Sequence, residues 1–299
     1  MTHEADTEAP AAPDGNAAVA ERLRRYADLL ETQGGDGFRL RAYLKAADEI
    51  DALSQPLRLI YETGGTDALV RLHGIGRGIA AAIAEMLATG HWTQLDRLQG
   101  EATPEAVFRT IPGIGPAIAR SLADTLEVET LEELETALRL GARHVPGVGP
   151  RRRQAILAAI GARFARLPHA RHAGPQPHEP PVSLLVDADA LYRSKAEAGD
   201  LPRIAPKRFN PAREAWLPVM HARRNGWHLT MLYSNTARAH ELGRTRDWVV
   251  IYFHEEDGPE RRRTIVTERQ GPLAGRRVVR GREAECRDLY AGLQSGIRN

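Results

Sequence analysis

Three Gly-apolar-Gly triplets constrain this 299-residue chain more than any other feature: Gly74-Ile75-Gly76, Gly113-Ile114-Gly115 and Gly147-Val148-Gly149, set 39 and 34 residues apart. Each follows a short segment of helical character (67–72, 104–110 and 131–140). Each precedes a longer one whose apolar residues fall on one helix face: Ile79, Ile83 and Leu87, then Ile118, Leu122 and Leu126, then Ile156 and Ile160. Glycine adopts backbone angles that other residues resist, so a triplet of this kind lets one helix end and the next begin within a tight turn. The second helix then starts with unpaired N–H groups and the positive end of its dipole, a ready site for one phosphate. Contacts from backbone to phosphate position a nucleic acid without reading its sequence. Arg77, Arg151, Arg152 and Arg153, directly after two of the turns, add mobile cations.

The rest of the chain falls into recognisable parts. Residues 1–16 are acidic and rich in Ala and Pro, without the basic-then-apolar pattern of a secretory signal, and read as a disordered tail. Helical spacing begins at Ala17, with Val19, Leu23, Tyr26, Leu29 and Leu30, and continues with Tyr43, Ala46, Ala47 and Ile50. A helical domain is expected over 17–100 and a second, carrying two of the triplets, over 101–166. Residues 167–181, with Pro168, Pro175, Pro177, Pro180 and Pro181, read as a linker. Beyond it the period changes. Strands are expected at 216–221 and 227–233, joined at Asn225-Gly226, and a second hairpin at 248–254 and 264–268 around Asp257-Gly258. Short helices are expected at 235–242 and 282–293, and a further strand at 184–189. The predicted fold class is multidomain: an all-α N-terminal half and an α+β C-terminal domain over 182–299.

Composition narrows the function classes. No apolar run reaches the roughly 18 residues of a membrane span, so a cytoplasmic protein is expected. Cys286 is the single cysteine and supplies neither an intramolecular disulfide nor a multi-thiolate zinc site. Residues 1–100 carry 10 basic and 15 acidic side chains (−5), whereas 181–299 carry 21 and 15 (+6). Between Glu135 and Glu179 there is no acid, while Arg139, Arg143, Arg151, Arg152, Arg153, Arg163, Arg166 and Arg171 occur there. Such a stretch is either a solvated helix face or an anion-binding surface.

Residues 17–166 resemble the N-terminal region of bacterial-type family X DNA polymerases. The segment from Gly37 to Ala47 (Gly-Phe-Arg-Leu-Arg-Ala-Tyr-Leu-Lys-Ala-Ala) resembles that family's first-domain motif. Ile111-Pro112-Gly113-Ile114-Gly115-Pro116, Thr130-Leu131-Glu132-Glu133-Leu134 and Val145-Pro146-Gly147-Val148-Gly149 follow its paired helix-hairpin-helix region. The resemblance covers about half the chain. It implies binding to gapped, nicked or duplex DNA, a role in DNA repair close to the bacterial nucleoid, and a possible 5′-phosphate pocket at Arg39, Tyr43 and Lys45. The departures matter equally. The family's lyase step needs a lysine amine on the helix after the first triplet, and alignment on Gly74-Ile75-Gly76 puts Ala82 there. No Gly-Ser nucleotide turn or carboxylate triad follows the hairpins.

Asp187 and Asp189 form an Asp-X-Asp which, on the strand expected at 184–189, would put both carboxylates on one face. Without an identifiable third ligand, they read as acids paired with neighbouring arginines. His254-Glu255-Glu256-Asp257 reads as a solvated turn, and Trp216, Trp227 and Trp248 read as core because each lies within a strand pattern. The favoured expectation is a sequence-independent DNA-binding protein without cofactor or metal, its C-terminal domain adding a basic contact or a protein partner. The alternative is a metal-dependent nuclease or lyase centred on Asp187 and Asp189. If the favoured expectation holds, residues 1–166 bind gapped DNA yet give no borohydride-trapped adduct with an abasic 5′-phosphate end. Trapping that disappears in Lys45→Ala would make Lys45 a nucleophile.

Overall fold

The computed structural model describes residues 15–101, 103–126, 128, 131–141, 143–166, 178–256, 258 and 260–296. Most of the acidic tail and of the expected linker thus lies outside the described residues, as does Asp257. The helical half begins with α1 (Asn16–Thr32), α2 (Gly37–Asp51), α3 (Leu57–Val70), α4 (Arg77–Thr89) and α5 (Thr93–Leu98). Local chemistry sets several of these boundaries. Asp36 caps α2 by accepting from the Phe38 N–H at 3.0 Å, α3 breaks at Gly64 and Gly65, and α4 stops at Gly90 in the left-handed conformation. A second helical group follows: α6 (Pro104–Arg109), α7 (Pro116–Leu126), α8 (Leu131–Leu140) and α9 (Pro150–Arg166). Phe108, Ile111, Ile114, Leu122, Leu134, Leu138, Ile156 and Ile160 bury one another in a core of its own.

The C-terminal part opens with α10 (Val182–Ala198) and continues through β1 (Arg203–Ile204), β2 (Leu217–Arg224), β3 (Trp227–Tyr233), α11 (Ala237–Glu241), β4 (Val249–His254), β5 (Arg261–Thr267), β6 (Arg277–Val279) and α12 (Glu283–Gly296). The six strands form one antiparallel sheet in sequential order, which makes this region α+β. Asn225 (φ 49°) and Gly226 (φ 83°) both take positive φ, as a two-residue hairpin turn requires.

One correction concerns α10. Residues 184–189 lie within this helix, not in a strand, so Asp187 and Asp189 point to different faces. Asp187 is exposed. Asp189 is fully buried, and its two carboxylate oxygens accept from Arg277 at 2.8 and 2.6 Å. Burial pushes this carboxyl above its ordinary range, against the pull of Arg277. The arginine pairing expected from the sequence is present for Asp189, but no shared carboxylate face exists.

Both faces of the sheet are covered. Met231, Ile251 and Ile265 lie on the face packed against α10 and α12, where Tyr192 stacks edge-on with Tyr233 at 5.0 Å. The opposite face carries a polar row in register across four strands: His221, Thr230, Tyr252 and Arg262. Each end of that row is held by the helical half. His221 meets Gln33 at 3.1 Å, the Arg97 guanidinium lies 3.4 Å above the Tyr252 ring while pairing with Glu260 at 2.8 Å, and Arg262 forms a two-point pair with Glu133. Residues 17–100 and 182–299 are expected as two domains, yet their buried apolar side chains form one continuous cluster. A fragment ending at residue 166 would therefore uncover that face, so the trapping test belongs on the intact chain.

Burial and the neighbouring Arg39 and Arg97 push the His221 imidazole down to about 3, and burial with His254 and Arg39 nearby pushes His228 down to about 4. Both remain neutral in the folded chain at pH values where the unfolded chain binds a proton, so stability falls as pH drops below the ordinary histidine value of about 6.5. Thermal unfolding between pH 7.5 and 5 should show this loss, and His221→Gln should reduce it. In denaturant unfolding, Asp189→Ala should cost about 1.5–3 kcal/mol, because the two charged hydrogen bonds to Arg277 are lost while Arg277 keeps its pair with Asp247 at 2.8 Å, whereas Asp187→Ala should stay within about 0.5 kcal/mol.

Candidate nucleic-acid interface

The three triplets adopt one geometry. Gly74, Gly113 and Gly147 take φ of 71°, 86° and 80°, values at which any side chain is strained. The middle residue closes each turn: Ile75 N–H donates to Leu72 O at 3.2 Å, Ile114 to Ile111 at 3.1 Å and Val148 to Val145 at 3.0 Å. The last glycine then opens the next helix, its carbonyl accepting from Ala80, Ala119 and Arg153 in turn at 2.9 Å. Ile75 and Ile114 are buried and Val148 is half-buried, so the apolar residue anchors each turn as expected.

What differs is the space in front. A Cβ built on Gly113, Gly115, Gly147 or Gly149 would meet nothing within 4 Å, so the backbone at these two turns is open to an incoming group. Around the first turn the space is partly filled: Lys45 Cε and Glu49 Cγ would lie 3.3 and 3.6 Å from a Cβ on Gly74, and the Glu256 carbonyl 3.5 Å from one on Gly78. The Lys45 and Glu49 side chains both lie against this turn, the Glu49 carboxylate 3.8 Å from His73, and Arg77 is exposed. The second and third turns, held in one core at the starts of α7 and α9, are thus the accessible pair.

The arginine run divides by role. Arg151 is exposed, Arg152 donates to the Gly147 carbonyl at 2.5 Å, and Arg153 donates to the Arg139 carbonyl near the end of α8 at 3.2 Å. Arg152 and Arg153 therefore brace the third turn, leaving Arg151 as the freely presented cation of the three. In the sequence the three looked equivalent. Arg120, exposed in the second turn of α7, is a further cation on the helix that the second triplet opens, and sequence reasoning passed over it because it does not directly follow the triplet.

Of the residues of the expected 5′-phosphate pocket, Arg39 and Tyr43 come together and Lys45 lies apart. Arg39 donates to Tyr26 Oη at 2.6 Å and to Gln94 at 3.3 Å, with its guanidinium 5.3 and 5.8 Å from the Tyr26 and Tyr43 rings. Tyr43 is buried against Tyr26 and Trp92. Lys45 is six residues beyond Arg39, which places it about 120° away around α2. Arg39 and Tyr43 thus belong to one aromatic cluster with Tyr26 and Trp92, and Lys45 lies against the first turn. Ala82 is buried in α4, in the shared core. Among the described residues no group of three or more His, Cys, Asp or Glu side chains could hold a metal ion, and no helix is long and apolar enough to cross a membrane.

This geometry agrees with comparison to known families. A helix-hairpin-helix domain model matches residues 14–92, and a SAM-like helix-hairpin-helix tandem model matches residues 106–160. The N-terminal half is therefore built of helix-hairpin-helix domains, and such domains support DNA binding. Gly147→Val should weaken DNA binding at least tenfold in an anisotropy titration, because the side chain fills the approach to the N–H groups of α9 and strains a φ of 80°. A folded Gly147→Val protein that binds as tightly as the parent would remove the third turn from the interface.

Proposed function

We propose that this chain is a sequence-independent DNA-binding protein of repair or related DNA transactions, holding duplex, nicked or gapped DNA through backbone phosphates. The observation that carries this reading is the pair of identical, unobstructed turns at Gly113–Gly115 and Gly147–Gly149, each aiming a helix N-terminus outward from one core. Nothing in a backbone donor distinguishes one base pair from another, which favours grip over readout. The reading also places the protein with nucleoid DNA and leaves the sheet region as the part that contacts a further stretch of DNA or a protein partner. Kinship with family X polymerases would direct it to gaps. The convergence of Asp187 and Asp189 on which the nuclease alternative depended is lost, because they occupy different faces of α10.

With about four to six phosphates neutralised, log K against log salt should fall with a slope of about −4 to −5, independent of sequence. If all three arginines of the run met phosphate, replacing them would flatten the slope by about 2–3 units. The hydrogen bonds of Arg152 and Arg153 reduce that expectation: Arg151→Ala alone should flatten it by about 0.9 unit. An Arg151→Ala protein with the parent slope would place this residue outside the interface.

A further inference from the structure

The segment Lys207-Arg208-Phe209-Asn210-Pro211-Ala212-Arg213, between β1 and β2, holds an aromatic ring in an unusual state. Phe209 is 45% exposed and takes φ 54°, and Arg213 also takes φ 54°. A bulky side chain at positive φ is uncommon, and such strain persists only where surrounding contacts enforce it. Those contacts are present. Asn210 ties the loop to the Glu214 carbonyl and N–H at 2.8 and 3.1 Å, and Asn235 donates to the Arg208 carbonyl at 3.0 Å. The Asn235 amide oxygen accepts from His240 Nε2 at 2.6 Å, and the His240 ring lies 4.6 Å from the Phe209 ring. Trp216, half-buried instead of core, meets His240 edge-on at 6.3 Å, and the Arg208 guanidinium lies 4.7 Å from the Phe209 ring. An apolar ring is thus rigidly presented to solvent when burial would have stabilised the fold.

Its position relative to the open turns gives the ring a use. Arg208 pairs with Glu105 of α6 at 3.3 Å and with Asp124 of α7, and Lys207 N–H donates to the Gly100 carbonyl at 2.6 Å. The loop is therefore fastened to the same helix, α7, whose N-terminus forms the second turn. Asp124 lies about 12 Å along α7 from Pro116, so the loop is fixed to the helix that carries the second turn. Lys207 and Arg213 are exposed beside the ring, opposed by Glu214 alone within the loop. A part-exposed aromatic ring flanked by cations fits an unpaired nucleobase and its phosphate.

We propose that Phe209 is a stacking platform for an unpaired base of DNA whose duplex portion is held by the α6–α9 unit. This rests on the DNA-binding reading and adds a preference for gaps and single-stranded ends, supplied by the C-terminal part of the chain. The test uses the full-length protein with a fluorescent duplex and the same duplex carrying a short gap, and in parallel a gapped DNA with 2-aminopurine in the unpaired segment. The parent should bind gapped DNA more tightly than duplex and quench 2-aminopurine. Phe209→Ala should lose ~5- to 100-fold on the gapped DNA, the cost of one base–aromatic stack, lose the quenching, and keep duplex affinity within about twofold. Phe209→Trp should retain both gap preference and quenching. Equal losses on both DNAs, an unchanged Phe209→Ala, or full retention by Phe209→Leu, which would mark an apolar docking surface for a protein, would each overturn the platform while leaving the DNA-binding reading standing. A parent that binds neither DNA would overturn the DNA-binding reading and the platform together.

Discussion

The molecule depends on a row of polar side chains crossing four strands: His221, Thr230, Tyr252 and Arg262. A sheet face of that kind would ordinarily be left to water. Here it is covered by helices whose own contact residues are polar: Gln33, Arg97 and Glu133. Buried polar groups are costly unless paired, so the junction selects one arrangement of helices on the sheet. Hydrophobic contact alone would tolerate sliding. The Arg97–Glu260 pair and the cation over Tyr252 fix the angle at which the helical half sits.

That arrangement distributes the three hairpins unequally. The first packs its helix into the core shared with the sheet and has Glu49, Lys45 and the Glu256 carbonyl close by, whereas the other two sit in a small core of their own with their backbones open. The smaller unit is fastened to the sheet region by charges: Glu133 to Arg262, and Glu105 and Asp124 to Arg208. Pairs of this type weaken as salt rises, exposed ones most. The geometry between the two open turns and the Phe209 loop is accordingly held by the same class of force that attracts DNA phosphates.

Much of the local structure was legible in the residues. Gly74, Gly113 and Gly147 announce positive φ because only glycine accepts it cheaply, and Asn225-Gly226 announces its turn for the same reason. The helical spacing of Val19, Leu23, Tyr26 and Leu30 identified a buried stripe that the fold uses as a buried stripe. These are properties of a few adjacent residues, and neighbours in space do not change them.

Tertiary structure decided the rest, wherever a polar residue's partner lies far along the chain. Asp189 interrupts the apolar pattern of α10, and 184–189 reads as a strand in the sequence, but Arg277, 88 residues away, lets the carboxylate occupy the buried stripe of a helix. Arg39 and Tyr43 resemble a phosphate pocket until the Tyr26–Trp92 aromatic cluster and the sheet close over them. Arg152 and Arg153 differ from Arg151 only because carbonyls of a turn and of the preceding helix reach them. By itself the sequence determined where the chain turns and which helix ends present bare N–H groups, since backbone sterics and dipoles are local. Which of those ends stays open was decided by packing, since accessibility depends on what the remote parts of the chain place in front of it.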